Sequence, residues 1–145
     1  MKLAIGSDFV GYPLKEGLEP SLVRRGIEIM DYGTDSDDPC DYPIFARRVA
    51  EAVASGECDL GILICGTGIG MSIAANKVPG IRCALCHNIF TARLARQHNN
   101  ANILAMGAHV VSLPHAEQIV TAWLDAQYEK GRHEPRLQMI AEMQT

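Results

Sequence analysis

The sequence lacks any apolar run long enough to cross a membrane, which takes about 18 consecutive apolar residues. Its apolar start is also too short for a secretory signal. It has no excess of basic residues, because the formal net charge is −4, and this argues against a general nucleic-acid binder. Internal repeats, linkers and low-complexity segments are missing as well. We therefore expect a single cytoplasmic domain over residues 1–145 that binds neither membranes nor nucleic acid.

The cysteines indicate neither a disulfide framework nor a metal site. Five are present, an odd number without a secretory signal, which is typical of reduced thiols. Cys83 and Cys86 have C-x-x-C spacing, but they lie in an apolar strand-like run, where residues three apart point to opposite faces. No second Cys or His pair stands at zinc spacing, so we expect no metal ion.

Short apolar runs alternate with helical periodicity along the chain. The predicted strands are Lys2–Ser7, Ile27–Asp31, Leu60–Cys65, Arg82–Cys86 and Asn102–Met106. The predicted helical segments are Leu14–Arg25, Ile44–Ala54, Met71–Lys77, Ile89–Gln97 and a helix from about Pro114 to Leu124. This rhythm predicts an α/β fold with a Rossmann-like, open, parallel five-stranded sheet and helices on both faces. Gly17 and Pro20 are expected to weaken or kink the first helix.

An extra C-terminal helix is predicted over about residues 133–143, after the point at which the sheet should be complete. Leu137, Ile140 and Met143 stand at helical spacing and give it an apolar face. That face packs either on its own domain or on a second subunit. We favour the partner subunit, because the helix begins with the charged cluster Gly131–Arg136, which has a functional pattern.

The most informative segment is Cys65-Gly-Thr-Gly-Ile-Gly70, at the end of a predicted buried strand. It places a thiol beside backbone amides that open a helix. Such amides stabilise anions and favour the reactive thiolate form of a cysteine, although a buried, inert thiol is the alternative. The glycine spacing is tighter than the dinucleotide motif G-x-G-x-x-G and follows the third strand, so we do not expect NAD binding.

Other polar residues join this segment at the ligand-binding edge. In an open parallel sheet, ligands bind beyond the carboxyl ends of the strands. That rule selects Ser7, Asp8, the loop Asp31–Tyr42, Cys65–Gly70, His87, Asn88 and Gly107. Asp8 is alternatively a helix cap, and His98 is alternatively an exposed residue at a helix end. Arg132 and Arg136, four residues apart near a helix start, either grip a phosphate or lie in a solvated turn.

Taken together, these segments resemble the family of ribose-5-phosphate isomerase B and the galactose-6-phosphate and allose-6-phosphate isomerases. The matching pieces are Ile5–Asp8, Asp41–Pro43, Gly61–Gly70, Ala74–Lys77, Gly80–Arg82, Arg96–Asn99 and Tyr128–Arg136. They span the chain, and C-G-T-G-I-G followed by R-Q-H-N and G-R-H-x-x-R is a specific combination. The resemblance implies aldose–ketose isomerisation of a phosphosugar without metal or organic cofactor. It also implies a homodimer or a dimer of dimers with shared active sites.

The resemblance assigns a role to each matching residue. Cys65 is the base that moves a proton between neighbouring carbons, His98 helps to open the sugar ring, and Asp8 assists the proton transfers. The enediolate oxygens are held by Gly66, Thr67, Gly68, Ile69 and Gly70. Sugar hydroxyls and the phosphate are bound by Asn99, Arg132 and Arg136, and the other substrate-binding residues are Phe9, Tyr42 and His133.

Phe9 departs from the family pattern, which has Asp-His at the end of the first strand. Phenylalanine can neither hydrogen-bond a phosphate nor move a proton, although His133 can supply the missing contact. The predicted reaction interconverts ribose 5-phosphate and ribulose 5-phosphate. The alternatives are isomerisation of another pentose or hexose phosphate, and a non-catalytic domain that binds a sugar phosphate or a nucleotide.

Overall fold

The computed structural model describes residues 1–144, so Thr145, the last residue of the predicted domain, lies outside the described residues. Its strands are β1 (Lys2–Ser7), β2 (Glu28–Asp31), β3 (Leu60–Cys65), β4 (Cys83–Leu85) and β5 (Ile103–Gly107). They form one sheet in the order β2-β1-β3-β5-β4, and neighbouring strands pair in parallel. The helices are α1 (Tyr12–Arg24), α2 (Tyr42–Ala54), α3 (Ile69–Ala75), α4 (Ile89–Gln97), α5 (Leu113–Asp125) and α6 (Glu134–Met143). The predicted α/β fold with an open parallel sheet is confirmed.

Several elements differ from the predicted bounds for local reasons. The backbone amide of Arg82 donates to the side-chain oxygen of Asn102, so β4 begins one residue later, at Cys83. Gly68, with φ at 78°, turns the chain directly into α3, which therefore begins at Ile69, ahead of the predicted start. Residues 131–133 form a short 3-10 turn, and α6 begins only after it.

The sheet has one hydrophobic core on each face. Along β1, Leu3 and Ile5 point to the core beneath α1, α4 and α5, whereas Ala4 points to the core beneath α2 and α3. Cys86 belongs to the first core and Cys83 packs against the second. The prediction that these two thiols point to opposite faces is therefore confirmed.

Helix α1 runs without interruption past Gly17 and Pro20, the two residues that were expected to weaken or kink it. Gly17 has a packing role, because a β-carbon there would lie 3.0 Å from the nearer side-chain methyl carbon of Leu113. The glycine therefore lets α1 approach the start of α5 closely, and the packing between helices offsets the low helix propensity.

Helix α6 presents its apolar side chains to solvent in the single chain, and none of its residues is buried. Met139 is 64% exposed and Met143 is 81% exposed. The end of the helix is held by Gln144, whose side-chain amide donates to the backbone oxygen of Ile81 at 3.1 Å. Packing of α6 on a partner subunit remains a prediction. Within residues 1–144, no helix combines the length and the apolar character that a membrane span requires.

Candidate active site

Cys65 is the last residue of β3, and its side chain is buried on the face covered by α2 and α3. The backbone amide of Gly68 donates a hydrogen bond to the Cys65 sulfur at 3.2 Å. Gly68 is fixed by the end of β5, because a β-carbon on it would lie 2.7 Å from the carbonyl carbon of Met106, and its φ is left-handed. Only glycine fits there. The thiol is thus held against an amide that stabilises negative charge on its sulfur.

The rest of the glycine loop, residues 66–70, is ordered by short-range contacts. The hydroxyl oxygen of Thr67 accepts a hydrogen bond from the amide of Ile69 at 3.2 Å. Tyr42, the first residue of α2, packs over the loop so closely that a β-carbon on Gly70 would clash with its ring. The structure therefore brings Tyr42 to the segment Cys65–Gly70.

Asp8 lies beyond the end of β1, next to the end of β3. Its amide donates to the carbonyl oxygen of Ile64 at 3.2 Å, and its carboxylate oxygen accepts from the amide of Gly11 at 2.9 Å. The second bond closes the turn before α1, whose N-cap residue is Gly11, so Asp8 is not the helix cap that the sequence left open. The same position keeps the buried carboxylate beside the end of β3, and Phe9 follows it, half-buried.

His98 lies at the opposite edge of the sheet. It caps the carboxyl end of α4 and leads into the amino end of β5, where the carbonyl oxygen of Asn102 accepts from the amide of Gly61 at 2.9 Å. Gly61 is four residues before Cys65, which separates the two edges by about 13 Å at about 3.3 Å per residue. The structure therefore does not bring His98 and Cys65 together within one subunit.

His98 forms a compact group with Glu129 and His133. The two imidazole rings stack with 4.4 Å between their centroids and 19° between their planes. A carboxylate oxygen of Glu129 lies 3.6 Å from Nε2 of His98 and 3.5 Å from Nε2 of His133. Within the described residues, the buried Nε2 of His133 has no hydrogen-bond partner. The Glu129 carboxylate therefore faces both imidazoles.

The stacking also decides whether this group forms a metal site. The ligand atoms of His98, Glu129 and His133 lie within 4.8 Å of one another, which is close enough to consider a zinc ion. An imidazole binds a metal in the plane of its ring. Because the two rings lie nearly parallel and one above the other, their lone pairs run side by side and do not converge on one point. The group does not fit a metal ion in this arrangement.

The remaining predicted residues lie with His98 and away from Cys65. Asn99 follows His98 and lines a groove together with Leu137 of α6. Arg136 donates to the carbonyl oxygen of Arg132 at 3.2 Å, and both arginine side chains are exposed. This edge of the sheet thus carries two exposed cationic groups beside a histidine pair, which suits a phosphorylated ligand.

Two histidines at the carboxyl edge complete the surroundings of Cys65. His109 lies against the glycine loop: its amide donates to the carbonyl oxygen of Gly66 at 3.0 Å, and a β-carbon on Gly66 would lie 3.1 Å from its ring. His87 follows β4 and accepts from the amide of Gly107 at 2.9 Å. Sequence reasoning selected His87 and Gly107 but missed His109. The signal that finds it is the same rule, because His109 stands two residues after β5.

Comparison with known proteins agrees with the motifs. Residues 3–140 match the sequence profile of the family described as Ribose/Galactose Isomerase. Ribose-5-phosphate isomerase B of Escherichia coli K12 is 55% identical over 139 residues, which covers 96% of this chain and 93% of that protein.

Solved structures agree in the same way. That of Clostridium thermocellum ribose-5-phosphate isomerase B has a TM-score of 0.98 at 55% identity and covers 99% of this chain and 97% of that one. That of Mycoplasma genitalium ribose-5-phosphate isomerase B with bound ribulose-5-phosphate has a TM-score of 0.94 at 41% identity, over 98% of this chain and 95% of that one. The motifs, the fold and these similarities lead to one conclusion: the chain belongs to the ribose/galactose isomerase family.

Proposed function

We propose that this protein is a cofactor-independent aldose–ketose isomerase that interconverts ribose 5-phosphate and ribulose 5-phosphate. The observation that carries the proposal is the Cys65 thiol, buried at the end of β3 with the amide of Gly68 directed at its sulfur. Family membership supports it, and so does the bound ribulose-5-phosphate of the Mycoplasma genitalium relative. Five unpaired thiols are typical of a reducing compartment, and we place the enzyme in the cytoplasm.

The proposed chemistry moves one proton between neighbouring carbons. The Cys65 thiolate removes the proton from C2 of the open-chain aldose, the C–H electrons form the C1–C2 double bond, and the carbonyl oxygen takes the negative charge. Cys65 then returns the proton to C1, while the C2 hydroxyl gives up its proton and becomes the ketose carbonyl. Asp8, beside the end of β3, is placed to move the proton between the two oxygens.

The glycine loop supplies what this step needs electrostatically. The developing enediolate must be stabilised, because a proton next to a carbonyl is only weakly acidic. One preorganised amide donor is typically worth about 2.7–4 kcal/mol of transition-state stabilisation. Gly68 is packed against β5 and Gly70 against Tyr42, so the backbone of residues 66–70 is held in place before a substrate binds.

We further propose that each active site is built from two subunits. Cys65 lies at the carboxyl edge of the sheet, whereas His98 and Arg136 lie at the amino edge, so the carboxyl edge of one subunit meets the amino edge of its partner. Apolar side chains suited to such an interface are exposed at both edges. On α3, Ile69 is 51% exposed and Ile73 is 59% exposed, and α6 exposes its own apolar face. The assembly is a homodimer or a dimer of dimers.

In this arrangement the amino edge opens and anchors the sugar. His98 exchanges a proton with the ring oxygen, a task that suits imidazole near neutral pH. The exposed guanidinium groups of Arg132 and Arg136 bind the phosphate, and Asn99 binds hydroxyl groups. Binding of the phosphate by these arginines supplies binding energy that orients the reacting carbons toward Cys65.

Phe9 favours one alternative substrate class. It lies half-buried directly after Asp8, at the position where the family pattern has histidine. Its apolar ring suits a longer, shifted or less polar sugar phosphate, such as a hexose 6-phosphate. The reaction would be the same, because Cys65 and its loop are unaffected by the change.

The test is an assay of the purified protein with a panel of aldose and ketose phosphates and no added cofactor. We expect interconversion of ribose 5-phosphate with the highest kcat/KM of the panel. Cys65→Ala should abolish turnover with binding retained, while Cys58→Ala, a buried thiol outside the site, should stay active. A higher kcat/KM for a hexose phosphate would keep the isomerase reaction but show that ribose 5-phosphate is not the preferred substrate. Binding without turnover in the unmodified protein would overturn the isomerase proposal in favour of a binding domain.

A further inference from the structure

His87 lies at the carboxyl edge of the sheet, and the chemistry proposed above does not use it. It follows β4 and is half-buried. Its Nε2 accepts a hydrogen bond from the backbone amide of Gly107 at 2.9 Å. An imidazole nitrogen can accept only when it carries no proton, so the ring is neutral and its single proton is on Nδ1. The contact therefore fixes both the charge and the tautomer of His87.

Gly107 connects His87 to the glycine loop. It is the last residue of β5 and stands opposite Cys65 in the sheet register. A β-carbon on Gly107 would lie 2.7 Å from Cα of Thr67 and 2.8 Å from the carbonyl oxygen of Gly66. The loop thus rests directly on the Gly107 backbone, and a shift of that backbone displaces the loop.

The residues after Gly107 hold the loop by hydrogen bonds. The amide of Ala108 donates to the carbonyl oxygen of Cys65 at 2.9 Å, and the amide of His109 donates to the carbonyl oxygen of Gly66 at 3.0 Å. Three successive residues, 107–109, therefore bear on the segment that contains the thiol. His87 supplies the side-chain acceptor for the first of them.

We propose that His87 is a positioning residue for the isomerase site. Its neutral imidazole anchors the amide of Gly107, and through Gly107 it holds the loop in the geometry in which the amide of Gly68 faces the Cys65 sulfur. This inference rests on the proposed role of Cys65. His87 touches neither the substrate nor the thiol in this account, so it affects turnover only through the position of the loop.

The anchor is sensitive to acid. Burial lowers the pKa of His87 below its usual value, and the nearby His115 on α5 lowers this pKa further. The hydrogen bond is therefore intact above the lowered pKa and is lost as pH falls through it, because a protonated Nε2 would face the N–H of Gly107. Removal of the charge on His115 should move this loss toward higher pH.

The experiment compares His87→Ala, His87→Gln and His115→Gln with the unmodified enzyme, using ribose 5-phosphate across acid and neutral pH. Glutamine keeps an acceptor near the position of Nε2 and does not titrate. We expect His87→Ala to lower kcat on the order of tenfold or more with little change in KM, since small displacements of catalytic groups carry large rate penalties. His87→Gln should recover most of kcat and lose less activity than the unmodified enzyme at acid pH. His115→Gln should match the unmodified enzyme at neutral pH.

The outcomes separate this proposal from the proposed function. If Cys65→Ala is inactive while His87→Ala has normal kcat, the positioning role is wrong and the isomerase site stands. If His87→Gln is as impaired as His87→Ala, the acceptor is not what matters, and the proposal is also wrong. If His87→Ala fails to fold, the dependence of activity on acid pH is the test. Identical pH profiles for His87→Gln and the unmodified enzyme would overturn the proposal. Full activity of Cys65→Ala would overturn the proposed function itself.

Discussion

The imidazole of His98 stacks on that of His133 with 4.4 Å between the ring centroids. This contact joins the end of α4 to the turn that precedes α6, so the proposed ring-opening residue and the arginines of residues 132–136 form one structural unit. The unit lies at the amino edge of the sheet, and Cys65 lies at the carboxyl edge. The proposed two-subunit site would bring this unit of one subunit to Cys65 of its partner.

Cys65→Ser tests the base. We expect kcat to fall about 10²- to 10⁴-fold with KM nearly unchanged, because a hydroxyl is a far poorer base than a thiolate at neutral pH. Steady-state kinetics with ribose 5-phosphate measures both constants. Cys58→Ser is the matched control, since Cys58 is also buried but precedes β3 at its other end. Near-normal turnover in Cys65→Ser would remove this residue as the base.

Arg136→Ala tests whether Arg136 binds the phosphate of the substrate. The loss of a charge-assisted hydrogen bond should raise KM about tenfold or more, because such bonds are worth about 1.5–3 kcal/mol. Arg47→Ala is the control: Arg47 is exposed on α2 and pairs with Glu51, one turn away. Isothermal titration with the substrate gives the affinities. Equal affinities for the two variants would contradict the phosphate role of Arg136.

Phe9→His tests whether the unusual residue sets substrate preference. The added imidazole can donate a hydrogen bond near Asp8, so kcat/KM for ribose 5-phosphate should rise relative to that for a hexose 6-phosphate. The ratio of the two specificity constants is the measurement, because it cancels changes in active enzyme concentration. An unchanged ratio would mean that Phe9 does not contact the sugar.

The fold could be predicted from sequence because its signals are local. Apolar runs such as Leu60–Cys65 are long enough to be recognised as strands. Strands that alternate with helices form a parallel sheet, for which few topologies are possible. The first and last residues of the strands and helices were less predictable. The start of β4 depends on a contact between Arg82 and Asn102, which are twenty residues apart, and no local pattern reports such a contact.

The residues matched by the motifs do not by themselves predict where each one lies on the sheet. Motif similarity identified Cys65 and His98 together, yet a motif carries no information about which edge of a sheet a residue occupies. The topology separates the two residues. Cys65 is the last residue of β3, whereas His98 follows α4, the helix that leads to the start of β5. His109 was missed because it belongs to none of the recognised motifs and stands three residues beyond Met106, the predicted end of β5.

Glu19 should make the stability of the protein depend on pH near neutrality. Burial, and then the hydrogen bond and the charge of Asp31, raise the pKa of Glu19 to about 7. The folded state therefore holds this proton more tightly than the unfolded chain does. The resulting stabilisation is complete below the ordinary pKa of 4.5 and is lost as pH rises through about 7.

Glu19→Gln provides the measurement, because glutamine resembles the protonated carboxyl group and does not titrate. The Tm of Glu19→Gln minus the Tm of the unmodified protein should increase between about pH 5 and pH 8. Thermal denaturation across this range in one buffer series gives the difference, and groups common to both proteins cancel. A difference that stays constant with pH would show that Glu19 titrates at its usual value.

Subunit complementation tests whether each active site combines residues of two subunits. Cys65→Ala and His98→Ala are each expected to be inactive alone. Equal amounts are unfolded together and refolded, so that half of the dimers contain one subunit of each kind. In those dimers one of the two sites combines an intact Cys65 with an intact His98, and about one quarter of unmodified activity should return. If the mixture stays as inactive as either variant alone, the two residues serve the same subunit's site, and the account is wrong.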